Sequence, residues 1–358
     1  MRILHLKDTL EVGGISAVLT TLIQHTPHVQ HTVATFAPGP FAKNMRTHSA
    51  TVHHITTPTY RRVAQFVAKH RPDVIHALGF TMMRHARLLH RLTGIPVVCG
   101  IHGDLNKIGR LQRHVQHLLM KVMGNWCSAY VCVSEEVRRI LLTKVPRSLS
   151  AQKAYVIHNG IDLAAVTPDT QFNRTGAGLP QDRFVIGSVG RLAGEKSYDL
   201  LLRSTAPLCR EKKAVVCLVG DGPEQGKLQR LAADLCIAND VFFMGRQTPS
   251  MPWYFLFDCF ALSSQTEGLS ISLLEAMAAG LPVVSTSDHT REHPVLTNNK
   301  DGILVPVNNE HELHDALAKI ISDAPLRQRL KKEALNSVKK FSAQSMAKQY
   351  ESLFRALQ

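Results

Sequence analysis

Short apolar runs alternate with segments of helical periodicity along almost the whole chain, and this alternation limits the fold most. Runs without a polar face are typical of parallel strands, because the connecting helices cover both sides of a parallel sheet. The pattern predicts an α/β protein built from doubly wound parallel sheets, which bind ligands at the carboxyl ends of their strands. The predicted strands are residues 3–6, 31–36, 52–55, 74–77, 96–101, 129–133, 155–157, 184–189, 214–219, 241–244, 259–262, 282–286 and 302–305.

The chain has 358 residues, which is enough for two domains with separate cores. Periodicity is lost at residues 167–180, where Pro, Gly, Thr and Asn are frequent. We therefore expect a Rossmann-like N-terminal domain at residues 1–165, a linker at 166–180 and a Rossmann-like C-terminal domain at 181–342. A last amphipathic helix at 343–358 is expected to pack back towards the N-terminal domain.

The composition favours a soluble, cytosolic protein. Hydrophobic residues make up 44% of the chain and charged residues 20%, and no apolar run has the length of a membrane span. The N-terminal residues, Met1 to Lys7, have too short an apolar core for a signal peptide. The seven cysteines are odd in number and include no Cys-x-x-Cys, so we expect reduced core residues.

Positive charge is concentrated in the first half of the chain. Residues 1–165 hold 20 Lys and Arg against 7 Asp and Glu, a net charge of +13, whereas the remainder carries +1. This asymmetry favours an acidic partner, either an anionic membrane or an acidic acceptor, and without interleaved aromatic residues it does not favour nucleic acid. Two predicted helices carry basic stripes that either dock on such a partner or form solvated faces. The stripes consist of Arg84, Arg87 and Arg91, and of Arg110, Arg113 and Lys121.

One segment of the second half reads as strand, loop, helix, loop and strand. Gly268 ends a polar turn after the first strand, and Ser270 or Ser272 caps the helix. The free N–H groups at the start of such a helix bind anions. Glu267 on the loop and Glu275 on the helix could each accept hydrogen bonds from hydroxyl groups that lie on either side of a bound anion. A sugar nucleotide has this arrangement of a sugar, a diphosphate and a ribose.

Glycine turns follow several other predicted strands. Glycine lets the backbone approach a ligand closely, although a tight turn without a ligand has the same composition. His102 follows the strand at 96–101, where a structural role and a ligand-binding role are equally compatible with the sequence. The turns are Gly13-Gly14, Gly190, Gly220 and Gly245.

These motifs, in this order, resemble those of glycosyltransferase family 4, whose members are retaining enzymes with the GT-B fold. The segment from Glu267 to Glu275 is similar to the Glu-x7-Glu signature of that family. Ser197 stands where many members have glycine, at a position that begins a helix. The other similar segments are Gly13-Gly14, the hinge-like Asn159-Gly160-Ile161-Asp162, Gly190-Arg191-Leu192 with Glu195-Lys196, Val219-Gly220-Asp221-Gly222-Pro223 and Phe243-Met244-Gly245-Arg246-Gln247.

The resemblance implies two Rossmann-like domains with a deep cleft between them, and it implies a role for each matching residue. Arg191 and Lys196 would neutralise the leaving diphosphate, and two such cations can replace a divalent metal. Glu267 and His102 would contact the donor sugar, and Glu275 would bind the ribose. No metal or other cofactor is implied, and no residue is an evident general base. The remaining donor-binding residues would be Gly13, Gly14, Gly190, Gly220, Gly245, Gln247, Gly268, Leu269 and Ser270.

The implied function is retaining transfer of a sugar, expected from UDP-hexose or UDP-N-acetylhexosamine, to a glycan or lipid-linked acceptor. Such an enzyme would serve bacterial lipopolysaccharide, capsule or exopolysaccharide synthesis in the cytoplasm, with peripheral contact to the anionic inner membrane. Two alternatives stay open. A GT-B-fold sugar-nucleotide 2-epimerase would need acid and base carboxylates in the first half, which holds only 7 acidic residues. The other is a nucleotide-binding protein without transfer activity.

Overall fold

A computed structural model gives the fold and describes residues 1–11, 13–56, 59–103, 126–144, 149–288 and 293–358. These residues form two compact units. The first unit comprises Met1–Ile161 and Phe341–Gln358, and the second comprises Asp162–Lys340. Each unit is built around one parallel sheet, so the predicted α/β class with two Rossmann-like sheets is confirmed.

The sheet of the first unit has seven strands in the described part of the chain: β1 (Arg2–Thr9), β2 (Gln30–Ala37), β3 (Thr51–His54), β4 (Val74–Leu78), β5 (Val97–Ile101), β6 (Ala129–Cys132) and β7 (Ala154–Val156). Their order is β3-β2-β1-β4-β5-β6-β7, and every neighbouring pair is parallel. Strands β4 and β5 are buried along their whole length, as expected of strands covered on both faces. The described helices between them are α1 (Gly14–Gln24), α2 (Phe41–Thr47), α3 (Tyr60–His70), α4 (Phe80–Thr93) and α5 (Glu135–Lys144).

The sheet of the second unit has six strands in the described part: β8 (Phe184–Val189), β9 (Ala214–Val219), β10 (Val241–Phe243), β11 (Cys259–Leu262), β12 (Val283–Ser287) and β13 (Ile303–Pro306). Their order is β10-β9-β8-β11-β12-β13, again all parallel. Every apolar run predicted as a strand overlaps one strand of the two sheets. The helices of this unit are α6 (Tyr198–Arg210), α7 (Gln225–Asp234), α8 (Met251–Tyr254), α9 (Ile271–Ala278), α10 (Glu310–Ser322) and α11 (Ala324–Ser337).

Residues 166–180, predicted as a linker, belong to the second unit, which begins at Asp162. Arg174 donates from Nε to the carbonyl of Leu256 at 2.8 Å and forms an ion pair with Asp258 at 2.7 Å. The ring centroid of Phe172 lies 5.0 Å from that of Trp253. A segment without periodicity is thus anchored to the second unit by a few long side chains.

The C-terminal helix α12 (Ala343–Ala356) lies in the first unit. The Ala343 N–H donates to the Ile161 carbonyl at 2.8 Å, which ties the start of the helix to the end of the first segment. The rings of Tyr350 and Phe354 lie 5.3 and 5.6 Å from the ring of His76 on β4. The chain therefore leaves the first unit after Ile161 and returns to it at Phe341.

His76 is one of three buried histidines on neighbouring strands, and His5 on the central strand β1 contacts the other two. His5 Nδ1 lies 3.1 Å from His76 Nδ1, and His5 Nε2 lies 2.9 Å from His31 Nδ1. Burial lowers the pKa of all three rings, to about 4 for His31 and to about 3 for His76. The three rings are therefore neutral at pH 7.

The seven cysteines are all free. Six are buried, as predicted for core thiols, and burial raises the pKa of Cys132, Cys209 and Cys217 to about 12. The prediction was wrong for Cys236, which is exposed just after α7 and has a left-handed backbone with φ of 58°.

Candidate functional site

Three of the predicted glycine turns meet at the carboxyl edge of the second sheet. They follow β8, β9 and β10, which are neighbours in the sheet. The Gly190 N–H donates to the Val219 carbonyl at 2.9 Å, and the Gly220 N–H donates to the Gly245 carbonyl at 2.8 Å. Gly220 has φ of +141°, and a Cβ at this position would lie 2.0 Å from the carbonyl oxygen of Gly190. Only glycine fits there, so the packed turns present bare backbone at this edge.

Lys196 and Glu267 form an ion pair at the carboxyl ends of β8 and β11, which are adjacent strands. Lys196 Nζ lies 2.6 Å from Glu267 Oε1, and the hydroxyl of Ser264 donates to the same oxygen at 2.6 Å. The two charged side chains are only 20% and 23% exposed. The hydroxyl of Ser263 donates to the Lys196 carbonyl at 2.8 Å, which ties the two loops together. Sequence reasoning selected Lys196 and Glu267 but missed Ser264, which holds the carboxylate.

The backbone directly after Lys196 is strained. Ser197 adopts a left-handed conformation with φ of 47° and is 4% exposed. This conformation costs a residue with a Cβ roughly 1–2 kcal/mol, whereas glycine adopts it freely. The position therefore does more than begin α6, and the strain gives a physical reason for the glycine that many family members have here.

The side chains of Arg191 and Gln247 differ in the contacts that they make with the rest of the protein. The side chain of Arg191 is exposed, and within the described ranges it forms no ion pair. The Gln247 amide donates from Nε2 to the Met244 carbonyl at 2.7 Å, within its own turn. Arg191 is thus available to an anion in solvent, while Gln247 stabilises the turn that follows β10.

Glu275 lies on α9, whose start is capped as predicted. The hydroxyl of Ser270 accepts from the Leu273 N–H at 3.4 Å. Glu275 is half-buried and its Oε2 accepts a hydrogen bond from the hydroxyl of Tyr254 at 2.6 Å. Burial raises the pKa of Glu275 to about 7, and the hydrogen bond from Tyr254 opposes this rise. Sequence reasoning missed Tyr254, since an aromatic residue in an apolar segment gives no sign of a carboxylate partner.

The predicted residues of the first unit lie at strand ends of its sheet. Gly13 precedes α1 and Gly14 begins it. His102 directly follows β5, where burial and the nearby Lys7 lower its pKa to about 4 against a smaller rise from Asn159. His102 is therefore neutral at pH 7. Lys7 is 6% exposed near the end of β1 and pairs with Asp8, and sequence reasoning did not single out either residue.

Neither a metal-binding cluster nor a membrane-spanning helix is present within the described ranges. No group of three His, Cys, Asp or Glu side chains there is placed to hold a metal ion. No helix in those ranges has both the length and the apolar character of a membrane span. On α4, Arg84 and Arg91 are exposed, and Arg87 is half-buried. The second basic stripe lies outside the described residues: Arg110, Arg113 and Lys121.

Two protein-family models match the chain in succession. The model described as Glycosyltransferase Family 4 matches residues 12–165. The model described as Glycosyl transferases group 1 matches residues 169–337, which contain the turns at Gly190, Gly220 and Gly245 and both glutamates.

Curated relatives are similar over part of their length. The lipopolysaccharide core biosynthesis glycosyltransferase LpsE of Rhizobium meliloti is 32% identical over 151 residues, which cover 42% of this chain and 43% of that protein. The N-acetylgalactosamine-N,N'-diacetylbacillosaminyl-diphospho-undecaprenol 4-alpha-N-acetylgalactosaminyltransferase of Campylobacter jejuni is 30% identical over 203 residues, covering 56% of this chain and 53% of that protein. The chain thus spans about half the length of these curated relatives.

A solved structure matches the fold along almost the whole chain. Anabaena HepE in complex with UDP and glucose has a TM-score of 0.87, covering 99% of this chain and 100% of that one. The two sequences are 21% identical, so this similarity concerns the fold.

Proposed function

We propose that this chain, which belongs to glycosyltransferase family 4 and has its GT-B-type fold, transfers a sugar from a nucleotide-sugar donor to a glycan or lipid-linked acceptor. The acceptor is a bacterial surface polysaccharide or its lipid-linked precursor, as in the names of LpsE and the Campylobacter enzyme. The donor is a UDP-hexose or UDP-N-acetylhexosamine, in line with the UDP and glucose bound to HepE.

The observation that carries this proposal is the Lys196–Glu267 pair beside the three packed glycine turns. The turns leave room for a diphosphate close to the backbone, and the pair supplies a cation for phosphate and a carboxylate for sugar hydroxyls. Both charges are largely buried, which strengthens their interaction with a bound ligand.

Donor binding exchanges the partners of this pair. A diphosphate carries more negative charge than one carboxylate, so the ammonium of Lys196 moves to it and leaves Glu267. Ser264 still donates to Glu267, and the freed carboxylate accepts hydrogen bonds from the sugar. Arg191, exposed at the end of β8, adds the second cation and so stabilises the charge that develops on the leaving diphosphate. Together, Lys196 and Arg191 neutralise the diphosphate as a divalent metal ion does in other transferases.

The other residues bind the rest of the donor. Glu275 accepts hydrogen bonds from the ribose, and Gly268, Leu269 and Ser270 offer N–H groups at the start of α9. The turn with Gly245 and Gln247 supports the base. We also include Gly13, Gly14 and the neutral His102 of the first unit among the donor-binding residues. Transfer retains the anomeric configuration, and the leaving phosphate takes the proton of the acceptor hydroxyl.

The basic first unit supports peripheral attachment to an anionic membrane that carries the acceptor. Each Lys or Arg close to such a surface contributes roughly 1 kcal/mol. Exchange of the exposed Arg84 and Arg91 for glutamate is expected to weaken co-sedimentation with anionic vesicles at low salt. The matched control exchanges Arg203 and Arg230, exposed arginines of the second unit, for glutamate. If the wild-type protein does not co-sediment with such vesicles, the positive charge would instead serve to bind a soluble acidic acceptor.

Incubation with a panel of UDP-, GDP- and ADP-sugars tests the proposal. Nucleoside diphosphate release that depends on added lipopolysaccharide or lipid-linked glycan is the expected result, with the product anomer identified by NMR. Conversion of the sugar nucleotide into its 2-epimer without acceptor would indicate the epimerase instead. Binding without release or conversion would indicate a nucleotide-binding protein without transfer activity.

A further inference from the structure

Tyr254 lies outside every motif of the donor site, yet its hydroxyl reaches one of the site's carboxylates. It is the last residue of the short helix α8, its side chain is 0% exposed, and its ring packs on Phe257 and Phe260 with centroids 6.0 and 5.7 Å away. The hydroxyl donates to Glu275 Oε2 at 2.6 Å. A ring packed this tightly cannot move without disturbing the core, so the hydroxyl is held at a fixed point in the unit.

The hydrogen bond leaves the two oxygens of Glu275 in different situations. Oε2 is occupied by Tyr254, whereas Oε1 accepts no hydrogen bond from the described residues. A ribose diol presents two O–H donors, which a carboxylate accepts and a neutral carboxylic acid accepts less well. The free oxygen is therefore the one available to a ribose.

The bond from Tyr254 also acts on the ionisation of Glu275. Burial raises the pKa of Glu275 to about 7, and the donation from Tyr254 opposes that rise because it stabilises the charged form. Tyr254 is the one titratable group that acts on Glu275, and no charged side chain of β11, β12 or α11 in the described part contributes. Tyr198 also acts electrostatically on Tyr254, and the pKa of both phenols is raised chiefly by burial.

We propose that Tyr254 is a positioning residue of the donor site, whose hydroxyl fixes the orientation of Glu275 and keeps it ionised so that Oε1 faces the ribose hydroxyls. This inference rests on the proposed function, because it takes Glu275 as the residue that binds the ribose. Tyr254 itself does not touch the donor.

The test is the Tyr254→Phe variant, which keeps the ring and removes only the hydroxyl. Affinity for UDP, GDP and ADP is measured by titration calorimetry from about pH 6 to about pH 9. The wild-type affinity for the nucleotide it binds is expected to rise with pH and to level off above about pH 7. In Tyr254→Phe the midpoint of this rise is expected at higher pH, with affinity roughly tenfold weaker at neutral pH and largely recovered at about pH 9.

Two further variants separate positioning from loss of folding. Glu275→Gln is expected to keep only the pH dependence of the terminal phosphate of the nucleotide, whose second ionisation lies at about pH 6, and adding Tyr254→Phe to it is expected to change nothing more. Tyr350→Phe removes an equally buried phenol of the first unit and is expected to leave the profile unchanged. In turnover assays, Tyr254→Phe is expected to raise the KM for the donor with little change in kcat.

The outcomes also separate this inference from the proposed function. Wild-type protein that binds none of the three nucleotides overturns both. Wild-type binding together with an unchanged pH profile in Tyr254→Phe overturns the positioning role alone. A pH-independent loss of affinity in that variant also overturns it, because the hydroxyl would then have no control over the ionisation of Glu275.

Discussion

Replacing Glu275 by glutamine is expected to stabilise the unliganded second unit at neutral and alkaline pH while weakening donor binding. Burial raises the pKa of Glu275 from its usual 4.5 to about 7, so the folded chain keeps a proton there that the unfolded chain releases. The free energy of unfolding therefore decreases as the pH rises from 4.5 towards 7, and the decrease reaches its full size above about pH 7. At about 1.36 kcal/mol for each unit of pKa, the ionised carboxyl costs about 3 kcal/mol.

Thermal unfolding without nucleotide measures this cost. For a unit of 150–250 residues, about 3 kcal/mol corresponds to a rise in Tm of roughly 6–12 °C in Glu275→Gln at about pH 8. At about pH 5 the gap between variant and wild type is expected to shrink, because the wild-type carboxyl is then protonated. Glu310→Gln, which removes an exposed carboxylate of the same unit, is the control and is expected to change Tm little. A gap of equal size at both pH values would refute the reasoning, since shape rather than ionisation would then decide the stability.

Three further predictions concern the charges of the site and of the first unit. Arg191→Ala or Lys196→Ala is expected to lower turnover by about 10²–10³, because each removes charge stabilisation made chiefly in the transition state, and steady-state rates near wild type in both would exclude the diphosphate role. Transfer is expected to persist in excess EDTA. Activity that is lost with EDTA and regained with Mg²⁺ would show that a metal ion, and not Arg191 and Lys196, stabilises the leaving diphosphate. Acidification below about pH 6.5 is expected to destabilise the first unit, because the lowered pKa values of His31 and His76, about 4 and about 3, let the unfolded chain bind protons that the folded chain does not. Denaturant titrations should show that the free energy of unfolding falls by up to about 1.4 kcal/mol per pH unit for each histidine. A free energy of unfolding that stays constant between about pH 7 and pH 5 would contradict the prediction.

Features that depend on local chemistry could be predicted from the sequence alone. Every predicted strand occurs, because an apolar run between helical segments has few other ways to bury its side chains. The turns at Gly190, Gly220 and Gly245 meet at one edge, because parallel strands end on the same side of a sheet. The cap at Ser270 follows from its hydroxyl and its place before an apolar-faced helix. Lys196 and Glu267 could be selected as site residues because they lie in segments that resemble family motifs and follow predicted strands.

Contacts between residues far apart in the chain were decided only by the tertiary structure. The bond from Tyr254 to Glu275 depends on how α8 packs beside α9, and no spacing in the sequence indicates it. The placement of residues 166–180 in the second unit depends on the bond of Arg174 to Leu256. The pKa of Glu275 follows from all the apolar atoms around it, and that surrounding exists only after folding. The amino-acid sequence indicates which chemical groups are present and which strand end carries them. The distances between side chains, and hence their charge states, arise from packing.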